Sequence, residues 1–209
     1  GALSGAYSVK ILLSGLLSIL TGRISDKYGP RPLVTTAALT AGVGFLLMSQ
    51  VTSLWQVYIG WGLLFGVTGS CCYVPITSTI TRWFAKRRGI AIGLTVGGFG
   101  LGGLISPPLA QWLISSYGWR QAFRILGLIA FIIMFPLAQF MKHSPQRIGL
   151  RPYGENGTIE DKQSLASTAE GFSFTRAIKT GRFWLFGSIM FCFFFVQQVI
   201  VVHIVPYAV

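Results

Sequence analysis

Long apolar runs and short polar breaks alternate along the whole chain, and within each run the apolar residues are continuous rather than every second one. Windows of mostly apolar residues fall at about 3 to 22, 33 to 51, 54 to 80, 89 to 115, 121 to 141 and 183 to 205. A helix needs roughly 20 such residues to cross the hydrocarbon core of a bilayer. A barrel strand would show period-two alternation, and an open strand leaves its backbone unpaired in lipid. The pattern predicts an all-α, polytopic transmembrane bundle of about six spans.

The breaks carry the charge. Arg23, Lys27 and Arg31 lie around the first break and Arg82, Lys86, Arg87 and Arg88 around the third. The long fifth break holds Lys142, Arg147, Arg151, Lys162, Arg176, Lys179 and Arg182. On the opposite side, Gln50 to Ser53 is uncharged and residues 115 to 121 contain only Arg120. Cytoplasmic loops are the ones enriched in Lys and Arg, so the first, third and fifth breaks are expected inside. Gly1 then starts outside, with no charged n-region or cleavage site after it, as expected of a chain that has lost a preceding helix. The expected location is the plasma (cytoplasmic) membrane, as a multi-pass protein.

Composition agrees with this picture and removes other classes. The 209 residues are 52% hydrophobic and 11% charged, with a mean hydropathy of +0.63. A net charge of +12 would suit nucleic acid if the cations shared one soluble face, but they fall between apolar spans, so no nucleic-acid partner is expected. Cys71, Cys72 and Cys192 all lie inside apolar windows, which argues against a disulfide framework or a zinc site.

Residues 142 to 182 hold four of the five acids and many Gly, Ser and Pro. The expected organisation is a bundle over 1–141, a cytoplasmic linker over 142–182 and the first helix of a second bundle over 183–209. Asn156-Gly157-Thr158 matches a glycosylation acceptor, but a cytoplasmic linker leaves it unmodified.

The first break reads Gly22-Arg-Ile-Ser-Asp26-Lys27-Tyr-Gly29-Pro-Arg31. The acid ends one helix, Gly29 permits a tight turn, and Pro32 suits the first turn of the next helix. A plain positive-inside turn needs the cations but neither Asp26 nor the glycines. The stretch resembles the signature loop of the major facilitator superfamily, G-x-x-x-D-[RK]-x-G-x-[RK], which joins that family's second and third helices. Further segments, "RWFAKRRGIAIGL" (82 to 94), "GGFGLGGLISPPLAQWLI" (97 to 114), "YGWRQAF" (117 to 123), "IGLRPYG" (148 to 154) and "HIVPYA" (203 to 208), resemble its monocarboxylate and oxalate/formate branch.

The resemblance implies that the spans correspond to helices two to seven of a twelve-helix transporter, with helix one and helices eight to twelve absent. It implies alternating access between two six-helix halves, with a small organic anion as substrate and a proton as possible coupling ion. Asp26 becomes a gating residue, with Arg82 its expected partner within this half. Helices one, four, seven and ten line the family's cavity, so spans three and six should supply contacts. Span three offers Thr68, Ser70, Tyr73 and Thr77, and span six Ser188, Gln197, Gln198 and His203, with Tyr73 and Gln197 nearest the midplane. Each has a plainer role as a bridge between helices.

Lys10 and Arg124 lie inside windows near their outer ends, where a charge is costly. Either they snorkel to the outer headgroups, or Lys10 faces an outer vestibule and attracts a carboxylate. In span four Gly93, Gly97, Gly98 and Gly102 precede Pro107-Pro108. Small residues at this spacing serve helix packing, and the prolines are expected to kink the span's end; a mobile face that permits rocking is the functional alternative. Gly98, Gly100 and Gly103 match a dinucleotide fingerprint, but no strand precedes them and they sit within a span. With no Walker loop, no paired acids and no nucleophile beside a base in the spans, neither an enzyme nor a cofactor is expected. His143 and His203 are too far apart for a haem pair or a HExxH zinc site. The remaining alternatives are a facilitator for another solute and a membrane sensor or scaffold that does not transport.

Overall fold

The computed structural model describes residues 2–84, 88–142 and 144, together with 184, 185, 188, 189, 191 and 192. Five long helices account for nearly all of the first stretches: α1 (Ala2–Tyr28), α2 (Pro30–Ser49), α3 (Leu54–Trp83), α4 (Arg88–Tyr117) and α5 (Trp119–Phe140). Each is long and apolar enough to cross a membrane. They belong to one compact unit, Gly1–Glu155. Of a second unit, Asn156–Val209, the described residues Trp184, Leu185, Ser188, Ile189, Phe191 and Cys192 are helical. Most of the sixth expected span and of the expected linker lies outside the described residues, as do His143, Gln197, Gln198 and His203.

Helix ends depart from the apolar windows where local chemistry overrides hydropathy. Helix α1 runs six residues past its window to Tyr28, which places Asp26 and Lys27 in its last turns. Gly29 then turns the chain with φ at +93°, a conformation that disfavours a Cβ. Helix α2 starts at Pro30, which puts Pro32 in its first turn; a proline at the first helical position has its φ preset and no N–H to leave unpaired. Gly118, with φ at +77°, makes the equivalent outer turn between α4 and α5. Pro107 and Pro108 do not end α4: the helix continues to Tyr117. In lipid the following backbone groups find partners only within their own helix, which outweighs the two N–H donors that the prolines lack.

Helix α3 is not α-helical throughout. Tyr58–Leu64 is a π-helical segment, with Gly60 and Gly62 buried on either side of Trp61. Hydropathy is blind to a change in hydrogen-bond register, so this feature has no trace in the apolar window.

Helix α2 is the centre of the bundle, packed on α5 and α3, while α1 packs on α3. Of its most apolar stretch 44% is buried, against none for α4, which stands at the periphery. Glycine seams let the inner helices approach. A Cβ added at Gly66 would lie 3.1 Å from Leu13 Cβ and 3.2 Å from the Lys10 carbonyl oxygen, and one at Gly44 3.1 Å from the Phe65 ring. Hydroxyls cross the same seams. Thr21 Oγ1 donates to the Ser70 carbonyl at 3.2 Å, and the Thr40 and Thr68 hydroxyls pair at 2.9 Å. Such contacts replace the hydrophobic drive that is missing between helices in lipid.

Candidate gating and substrate sites

The helix ends around the Gly29 turn gather most of the signature residues. Arg82, in the last turn of α3, donates to Asp26 Oδ1 of α1 at 2.5 Å. Both helices end on the same side, because α1 and α3 run parallel with α2 crossing in the opposite sense between them. The Asp26 side chain is 70% exposed and that of Arg82 29%. Exposed ion pairs of this kind contribute about 0.2–1 kcal/mol.

Arg31 follows the Gly29 turn and reaches across to α5. Its Nε and Nη2 donate to Gln139 Oε1 at 2.9 and 2.7 Å, and Gln139 Nε2 donates to Thr35 Oγ1 at 3.2 Å. Trp83 Nε1 donates to the Lys142 carbonyl at 3.3 Å, tying α3 to the end of α5. Lys27 points elsewhere: its ammonium lies 5.3 Å from the centre of the neighbouring Tyr28 ring. Gly22 faces α3, where an added Cβ would touch Val74 at 3.8 Å. The loop thus joins all four of α1, α2, α3 and α5 at one end of the bundle. Gln139, Thr35 and Trp83 were not among the sequence candidates. A polar Gln139 three residues before Lys142, inside an otherwise apolar window, was the available signal.

Tyr73 stands on the opposite stretch of α3, nine residues and about 14 Å of helix from Arg82 at 1.5 Å per residue. It lines a groove of about 600 Å³ between α3 and α4, with Cys72, Thr77, Thr95, Phe99 and Ser106 among its other walls. The Tyr73 and Phe99 rings meet edge to face with centroids 6.1 Å apart. Thr77 and Thr95 spend their protons on their own helices, donating to Tyr73 O and Ala91 O at 2.9 Å each. The groove carries no ionised side chain, and its walls are apolar with a few hydroxyl groups.

Gly98 and Gly102 form part of this groove. An added Cβ at Gly93, Gly97, Gly98 or Gly102 would meet nothing within 4 Å. Among the described residues, therefore, the close packing expected of these glycines is not made by them; it is made by Gly62, Gly66 and Gly69 of α3 against α1. The spacing Gly62-x-x-x-Gly66 carried that signal in the sequence. Ser188 Oγ donates to Trp184 O at 2.8 Å within its own helix.

Lys10 is half-buried on α1. Its ammonium lies 5.4 Å from the Tyr7 ring centre and 5.7 Å from that of Trp61 in the π-helical segment.

Residues 1–209 match the family model described as Major Facilitator Superfamily. The chain belongs to the major facilitator superfamily. Among similar proteins, Monocarboxylate transporter 13 of Rattus norvegicus is 35% identical over 123 residues, covering 59% of this chain and 29% of the relative. Monocarboxylate transporter 11 of Homo sapiens is 35% identical over 106 residues, covering 51% and 22%. The uncharacterized MFS-type transporter YhjX of Escherichia coli (strain K12) is 26% identical over 165 residues, covering 78% and 40%. Each match spans less than half of the relative's own length. Five helices of spanning length and membership of the major facilitator superfamily make this a multi-pass, all-α membrane protein of a transporter family.

Proposed function

We propose that the chain forms part of a secondary active transporter that moves a small organic anion, a monocarboxylate, across the plasma membrane by alternating access. The observation that carries the substrate class is the 35% identity to monocarboxylate transporters over more than half of this chain. In this reading α1 to α5 act as helices two to six of a twelve-helix transporter, and residues 142 to 182 link its two halves.

The inner-end network supports the mechanism. Asp26 and Arg82 hold the ends of α1 and α3 together, and Arg31 with Gln139 holds α2 to α5, so the bundle rocks as one body. Asp26 acts as the gating residue whose pair with Arg82 weights the inward and outward states. Tyr73 offers its hydroxyl to the substrate from the groove wall, and Gln197, Gln198 and His203 are proposed as further substrate contacts. The glycines of α4 let that wall change its contacts as the halves move.

Proton symport and anion exchange predict different driving forces. The full-length protein in vesicles should take up labelled monocarboxylate in response to an inward proton gradient for symport, or in response to a trapped counter-anion for exchange. An Asp26→Asn variant should transport at a changed rate with an altered inward-to-outward ratio. A rate and ratio equal to those of the wild type would remove the gating role.

A further inference from the structure

Lys10 is a cation inside a span, in its first third, about 12 Å along α1 from its first residue at 1.5 Å per residue. Charges at such depth are costly and are retained with a partner. Its described partners are two aromatic faces, Tyr7 one turn back on α1 and Trp61 of α3. Ring faces attract an ammonium group but offer no lone pair to its three N–H donors. Among the described residues Lys10 makes no hydrogen bond and no ion pair. Asp26 lies sixteen residues further along the same helix, about 24 Å away at that rise, and is already paired with Arg82.

The arrangement is built by α3 rather than left to a flexible side chain. A Cβ at Gly62 would lie 3.2 Å from Val9 Cγ1, and one at Gly66 would lie 3.2 Å from the Lys10 carbonyl oxygen. These two glycines let the backbone of α1 at Lys10 rest on α3. The π-helical register of Tyr58–Leu64, a deviation often found at functional sites, sets Trp61 beside the ammonium. Trp61 is itself braced by the Phe65 ring, with centroids 5.0 Å apart.

We propose that the Lys10 ammonium, held between Tyr7 and Trp61, is an anion-binding group that takes the carboxylate of the transported solute, with Trp61 as its positioning residue. This rests on the organic-anion reading above and adds a cation to it. A carboxylate supplies the oxygen acceptors that the rings lack, in charge-assisted hydrogen bonds. The rings exclude water around that contact and offer apolar surface to the carbon end of a monocarboxylate.

The test is equilibrium binding of radiolabelled acetate, pyruvate and benzoate to the full-length protein in phosphatidylcholine vesicles, with pyruvamide as the uncharged probe. Lys10→Gln should raise the Kd of the bound carboxylates about tenfold or more and leave pyruvamide unchanged. Lys10→Arg, which keeps the charge, should stay within about threefold of wild type, and Trp61→Leu should fall between the two. Wild-type binding with an unaltered Kd in Lys10→Gln overturns the proposal and leaves the organic-anion reading standing. No saturable binding of any of the three by the wild type overturns both. If Lys10→Gln alters retention of added phosphatidylglycerol and not carboxylate Kd, the lysine serves a lipid headgroup and the proposal is wrong.

Discussion

At the scale of single residues, position along the chain said which groups carried chemistry, and distance now says which of them meet. Asp26 could be singled out because a positive-inside turn has no use for an acid, and its contact with Arg82 spans 56 positions of sequence. Lys27 shows the limit of that argument: adjacent to Asp26 in the motif, it turns to Tyr28 instead of joining the network. Gln139 carried only a weak signal, because a single amide near the end of an apolar window has no evident partner until Arg31 is found beside it. A double-mutant cycle of Asp26→Asn and Arg82→Gln, read as thermal stability in detergent, should give a coupling of about 0.2–1 kcal/mol. Strictly additive losses would mean that the contact is not made in the membrane.

Individual helices were legible to different degrees. The window at 121 to 141 became Trp119–Phe140 almost unchanged, because Gly118 and the charged Lys142 bracket it. The window at 3 to 22 fell short of Tyr28, since a helix leaving the bilayer continues through polar residues until Gly29 stops it. The π-helical turn of α3 could not be foreseen, because it is a choice of hydrogen-bond register and not of side-chain polarity. Among the described residues the conspicuous glycine run in α4 meets nothing within 4 Å, and the sparser one in α3 makes the tight seam. Gly66→Ala should therefore cost about 1–3 kcal/mol through overpacking against α1, whereas Gly97→Ala should be neutral or gain up to about 1 kcal/mol from helix propensity. Comparable losses at both positions in a thermal melt would show that a segment beyond the described residues covers α4.

For the whole molecule, the two ends of the bundle are held by different chemistry. Ion pairs and amides join the inner ends, while rings join the outer third: Trp61 to Phe65, Phe65 to Phe45 and Phe45 to Phe123, with centroids 5.0, 5.0 and 6.1 Å apart. Salt screens the first set and leaves the second alone. The charge asymmetry of the breaks, readable from the sequence, predicts which ends face the cytoplasm, because insertion follows the Lys and Arg of the loops and not the packing. A cysteine placed at Thr52, with the three native cysteines replaced by serine, should react with an impermeant maleimide from outside intact cells, and one placed at Lys27 should not. The reverse pattern would invert the topology and move the Asp26 network to the outer face.

The most direct test of the account is gradient-driven uptake by the full-length protein in sealed vesicles, comparing a labelled monocarboxylate with its neutral amide. The account predicts saturable accumulation of the acid, above equilibrium, that collapses when the proton or counter-anion gradient is removed, with no accumulation of the amide. Binding without flux under every gradient, or equal movement of acid and amide, would contradict it.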